Sequence, residues 1–160
     1  MYASVLSSIL FGIECIPVTV ESDVSPGMPN FSIVGLLSTE VRESRERVRS
    51  AIRNSGIQIP ARRITVNLSP ASIRKSGTGF DLPVAVSIIA ALKMVPPDSL
   101  SNIMMIGEMN LNGDILPVKG ALQASSYCSD HNIGFIIVPF NNRKEAALIN
   151  GINVVPVNSL

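Results

Sequence analysis

Residues Leu82 to Leu92 read LPVAVSIIAAL, with no charged side chain. As a helix this segment is apolar on every side, so it must be enclosed rather than laid on a surface. Asp81 stands where a helix cap is expected. Pro83 falls in the first turn, where a missing amide hydrogen costs nothing. The rest of the chain therefore has to supply a sheet on one side of this helix and further elements around it.

The flanking sequence supplies them. Residues 3–11 and 14–22 are apolar and rich in β-branched residues, with Gly12 between them. This predicts an antiparallel pair, with Pro17 at an edge or bulge. Phe31 to Val34 reads as a third strand. A helix is predicted from about 39 to 54, capped by Ser38 or Thr39 and ended at Asn54-Ser55-Gly56. Arg63 to Leu68 alternates as a strand, and Ser72 to Phe80 is a glycine-interrupted loop. Beyond the apolar helix come a strand at 103–106, a hairpin at Leu111 to Leu116 and a helix at about 119–131. A strand at 135–138, a helix at 142–149 and a strand at 154–157 complete the chain. Strands first, then alternating helices and strands, make an α/β fold with a mixed sheet. At 160 residues one domain, or two lobes sharing a core, is the economical organisation.

Composition narrows the functional classes. Aromatic residues are 4% of the chain and Trp is absent, which disfavours a base-stacking platform of exposed rings. Cys15 and Cys128 stand far apart in the chain with no CxxC motif, and read as two reduced thiols. Asp81, Glu108, Asp114 and His131 show no metal-ligand spacing, and no metal or cofactor is expected in this chain. The first twenty residues are apolar but lack a leading basic residue and are broken by Glu14. They read as neither an export signal nor a membrane span, so a cytoplasmic location with no membrane contact is expected.

Charge is unevenly spread. Between Arg42 and Lys75 lie nine of the chain's 13 basic residues, opposed only by Glu43 and Glu46, a net +7 where the whole chain carries +1. Arg42, Arg45, Arg49 and Arg53 recur at helical spacing on one face. Arg62, Arg63, Arg74 and Lys75 would extend that face if the following strand and loop lie alongside. Such a surface can track a phosphate backbone by displacing counterions. It can equally be a solvated face carrying Glu43–Arg47 and Glu46–Arg49 pairs, or a docking surface for another protein. The loop Ser76-Gly77-Thr78-Gly79, ahead of the apolar helix, could offer amides to an anion.

Five blocks then carry a resemblance that pattern alone does not. MPNFSIVGL, VRESRERVRSAIRNSG, RRITVNLSPA, RKSGTGFDLPVA and IGEMNLNGDILPVKG together resemble the N-terminal domain of the magnesium-chelatase-like AAA+ ATPases of the YifB or ComM type. The match runs in order from near residue 3 to the end of the chain. It departs at Leu37-Ser38, where the family usually has Pro-Asp, at the start of the basic helix. The resemblance implies the Lon-protease C-terminal fold of the ribosomal-protein-S5 domain 2-like group. It implies a bacterial protein whose AAA+ motor, with its ATP and Mg²⁺, lies outside this chain. No GxxxxGK[ST] motif occurs here, so no phosphate-binding loop of that type is expected. The implied partners are the motor domain and neighbouring subunits of a ring, commonly a hexamer. The implied process is DNA handling, such as branch migration during natural transformation. The family name implies no metal or porphyrin chemistry in this domain.

The same resemblance bears on catalysis. Lon-type peptidases use a serine activated by a lysine. Matched through the blocks, the serine position is Gly79 and the lysine position is Leu122. Lys119 is about one helical turn from the needed place. A non-catalytic binding and assembly domain is therefore expected. The alternatives are a peptidase using a non-standard nucleophile such as Ser76 or Thr78, and a purely protein-docking module.

Overall fold

The computed structural model describes residues 1–160. Strands β1 (Tyr2–Phe11) and β2 (Glu14–Ser25) form a long antiparallel hairpin in one unbroken register, from Tyr2 opposite Asp23 to Phe11 opposite Glu14. β3 (Asn30–Val34) leads into α1 (Thr39–Asn54), and β4 (Arg63–Ser69) returns parallel to β3 and antiparallel to β2. α2 (Asp81–Ala91) follows, then β5 (Ile103–Met105), parallel to β1. β6 (Glu108–Met109) and β7 (Ile115–Leu116) make a small separate hairpin. α3 (Ala121–Asp130), β8 (Phe135–Pro139), α4 (Arg143–Ala146) and β9 (Asn153–Val157) complete the chain. The main sheet has seven strands in the order β3-β4-β2-β1-β5-β8-β9, with both parallel and antiparallel neighbours. The expected mixed α/β architecture is present.

Alternation along the strands divides the sheet into two faces. Val5 and Ile9 of β1, Val18, Val20 and Val24 of β2, and Ile64, Val66 and Leu68 of β4 point into the larger core with α1 and α2. On β5, Met105 joins that core, while its neighbour Met104 joins a second one with Ile136, Val138 and the small residues Ala121, Ala124 and Ala146. α3 and α4 thus cover the β5-β8-β9 half of the opposite face. Its other half presents Thr19, Glu21, Asp23, Thr65 and Asn67, all at least partly exposed. Glu21 takes hydrogen bonds there from Tyr2, Asn67 and Ser69.

α2 is enclosed as its sequence requires. It lies on β1 and β2, with α1 and β6 against its other sides. Its one internal hydroxyl is satisfied, since Ser87 Oγ donates to Val84 O at 2.9 Å and sits 2.6 Å from Ser22 Oγ. Pro17 lies on the part of β2 beyond the last β4 pairing at Thr19–Ser69, so its unpaired side is locally an edge.

Three expectations are corrected. Asp81 is not a cap. It is the first residue of α2, fully buried, and its carboxylate takes Arg47 and the amide of Met109. The helix expected at 142–149 shrinks to four residues, because its last turn tightens to i→i+3 bonds, Leu148 N to Glu145 O at 3.2 Å and Ile149 N to Ala146 O at 3.5 Å. Lys119 lies outside α3, which begins only after Gly120 turns the chain at φ +93°.

Candidate functional site

α1 forms because Ser38 caps it, its hydroxyl accepting from Val41 N at 3.5 Å, and because Val41, Ser44, Val48, Ala51 and Ile52 make one buried stripe. At about 100° per residue, Arg42, Arg45, Arg49 and Arg53 then fall within an arc of roughly 80° on the outer side. All four are exposed. Only one is engaged, Arg45 with its neighbour Glu46 at 2.9 Å. The expected Glu43–Arg47 and Glu46–Arg49 pairs do not form, since Arg47 turns inward to Asp81 at 2.8 Å and Glu46 pairs with Arg45 instead.

The four remaining basic residues separate. Arg62 stands at the far end of α1, placed by its own N–H to Pro60 O at 2.8 Å and by Asn30 N to Arg62 O at 3.4 Å. It shares a groove of about 590 Å³ with Arg49 and Arg53. Arg63 pairs with Ser25 and Asn30 in register with Thr65 and Asn67, and so belongs to the opposite, polar face of the sheet. Arg74 lies towards the start of α1. There Glu40 is held below the usual carboxylate range, chiefly by the Ser38 hydroxyl, then by a backbone amide, with a smaller pull from Arg74.

Lys75 leaves the basic surface altogether. It is fully buried, and its ammonium donates to Pro70 O. Two backbone bonds clamp it beside the start of α1, Lys75 N to Leu36 O at 2.8 Å and Ser38 N to Lys75 O at 2.9 Å. Burial without a carboxylate partner pushes its pKa below the ordinary lysine value. Its expected place among surface contacts is thus corrected. The contiguous exposed set is Arg42, Arg45, Arg49, Arg53 and Arg62.

A second cleft, of about 540 Å³, holds the Ser76-Gly77-Thr78-Gly79 loop together with Cys15, Glu108 and Lys119. Thr78 Oγ1 donates to Glu108 Oε2 at 2.5 Å. The chain's own carboxylate thus occupies the loop's hydroxyl, which weakens the anion-pocket reading. The half-buried Cys15 thiol is pushed up by burial, and that of Cys128 up to about 12, so neither is an activated nucleophile. Gly79 faces this cleft, and a Cβ added there would meet only Val118 Cγ1, at 3.9 Å. Leu122 is half-buried on α3.

The acidic and imidazole groups weighed as ligands lie in separate settings. Asp81 is on Arg47, Glu108 on Thr78, Asp114 on Asn110, and His131 stacks on Tyr127 at 3.8 Å. Asn30 and Gln58, which border the arginine groove, carry no sequence signal of a site. Their side by side placement depends on the loop after α1 folding back towards β3.

Comparison with known proteins agrees with this architecture. The family described as subunit ChlI of Mg-chelatase matches residues 20–142. The chain is 41% identical over 140 residues to the uncharacterized protein YifB of Escherichia coli, covering 88% of this chain and 28% of that protein. It is 36% identical to competence protein ComM of Haemophilus influenzae, covering 94% of this chain and 30% of the relative. A Lon protease of Azorhizobium caulinodans is 25% identical over 154 residues, 89% of this chain and 18% of the protease. The chain thus spans less than a third of the length of the YifB and ComM relatives. No helix is long and apolar enough to cross a membrane. With well over half of its residues inside the matched pattern, the chain belongs to the family of subunit ChlI of Mg-chelatase.

Proposed function

We propose that this chain is a non-catalytic binding and assembly domain of a magnesium-chelatase-like AAA+ ATPase that works on DNA. In this reading it acts in branch migration of the kind natural transformation requires. The observation that carries the proposal is the exposed line of Arg42, Arg45, Arg49 and Arg53 on α1, extended by Arg62, with one carboxylate engaged among them. Guanidinium groups set along about 16 Å of helix suit successive phosphates, each contact releasing counterions. The ComM relative's name refers to competence, which supports the process. The motor, with ATP and Mg²⁺, would belong to the remainder of a full-length protein, whose subunits assemble as a ring, in the cytoplasm. Titrating labelled DNA with the chain and with its Arg45→Glu/Arg49→Glu variant tests this. Weaker binding by the variant is expected, and unchanged binding overturns the assignment.

A second reading rests on the Thr78–Glu108 pair in the other cleft. There a carboxylate could take the proton of a threonine nucleophile and make a non-standard peptidase. Cleavage of an unfolded protein substrate that is lost on Thr78→Ala would favour it over the binding reading.

A further inference from the structure

The groove at the C-terminal end of α1 differs from the open helix face above it. Arg49 and Arg53 stand on one wall and Arg62 on the other. None of the three makes an ion pair or a side-chain hydrogen bond. Three arginines lining one groove without a counter-charge call for an anion of high charge density, and their planar forks match phosphate oxygens. The floor is different in kind. Ile57 and Ile59 are half-buried against the main core and expose the rest of their side chains to the groove. Asn30 and Gln58 border it with exposed amides that have no partner in the structure. An amide carries both donors and an acceptor, the complement of a nucleobase edge.

A phosphate cradle, an apolar floor and two amides within about 590 Å³ do not fit a duplex, whose bases are stacked and paired inside. They fit one nucleotide lifted out of a stack. We propose that this groove lodges a single unpaired nucleotide, its phosphate on Arg49, Arg53 and Arg62, and its base on Ile57 and Ile59 with its edge towards Asn30 and Gln58. The proposal rests on the nucleic-acid reading of α1 and adds to it a preference for unpaired strand. The nucleotide could be free or part of a strand. An acidic peptide would share the arginines and pair its backbone with the amides, but it brings no flat base to lie on Ile57 and Ile59.

The test uses the whole chain with isoleucine methyl groups observed by NMR. The probes are a single-stranded oligonucleotide, a blunt duplex of equal length, adenosine 5′-monophosphate, inorganic phosphate and an acidic peptide. The expected result is saturable movement of the Ile57 and Ile59 methyls with the single strand, and affinity about tenfold above that for the duplex. The exposed substitutions Asn30→Ala and Gln58→Ala should remove most of that preference, while binding to duplex falls less than threefold. Movement by the monophosphate but not by phosphate identifies a free nucleotide as sufficient. Movement by the oligonucleotide alone identifies a strand-borne one. Equal affinity for single strand and duplex with unmoved methyls overturns this inference and leaves the basic-face reading standing. Movement by the acidic peptide alone overturns it in favour of a protein partner. No binding of any nucleic acid overturns both.

Discussion

Arg47 grips Asp81 with two nitrogens, Nε to Oδ2 at 2.8 Å and Nη2 to Oδ1 at 3.1 Å, and so ties α1 to the first turn of α2. Asp81 is fully buried while Arg47 keeps 21% of its side chain exposed. The two ends of the bond are therefore unequal. Arg47→Met strands a buried carboxylate and should cost about 3–5 kcal/mol. Asp81→Asn keeps an acceptor for the Met109 amide and lets Arg47 rehydrate, so it should cost on the order of 1–2 kcal/mol. Urea unfolding of the two variants checks the order, and an equal loss would contradict it.

Glu21 sets an acid limit. Its carboxyl is held below the ordinary glutamate range, first by the Asn67 amide and also by the Ser69 and Tyr2 hydroxyls. A depressed folded-state pKa stabilises the fold above the unfolded value, and that contribution is lost as pH falls through the folded value. The melting-temperature difference between the native chain and Glu21→Gln should be largest above about pH 5 and shrink towards zero below about pH 4. A difference constant across that range would contradict the network.

Lys75 has the opposite signature. Burial lowers its folded-state pKa. Between that value and the ordinary lysine value of about 10.4, the unfolded chain binds more protons than the folded one. Stability from this group therefore rises with pH across that window. Relative to Lys75→Met, the native chain should gain stability as pH rises through the lowered folded-state value towards about pH 10. Urea midpoints at three pH values read this out, and a difference that does not change with pH would contradict the burial.

The cleft that Gly79 lines should accept a serine without acting on peptides. Gly79 has no positive φ, and the nearest atom to an added Cβ is 3.9 Å away. Gly79→Ser should change stability by less than about 0.5 kcal/mol and give no cleavage of an unfolded protein, because Leu122 stands at the lysine position. Cleavage by Gly79→Ser alone would show that Lys119 or Glu108 activates the hydroxyl.

What could be read from the chain beforehand follows the range of the forces involved. The limits of α1 at 39–54, its Ser38 cap and the all-round burial of α2 are local matters of periodicity and capping, and they stand in the structure as expected. Lys75 was not readable in this way. Its burial comes from backbone bonds to Leu36 and Ser38, almost forty residues away in sequence. The Asp81 side chain likewise has a partner on another helix, where the local pattern offered only a cap. Arg62 and Arg63 are neighbours in the chain, yet strand alternation sends Arg63 to the opposite sheet face. The groove of Arg49, Arg53 and Arg62 needs the loop after Gly56 to return towards β3, which no local spacing encodes.

The central claim is that the α1 arginines meet DNA directly. Fluorescence anisotropy of labelled single-stranded, duplex and branched DNA, titrated with the chain at two salt concentrations, tests it most directly. The expected result is binding that weakens with salt and weakens further in Arg45→Glu/Arg49→Glu, whose log–log salt slope is flatter by about two. Arg63→Glu, on the opposite sheet face, should leave the slope nearly unchanged. No binding at low salt, or identical slopes for the native chain and the α1 variant, would contradict the claim and assign the arginine line to protein docking.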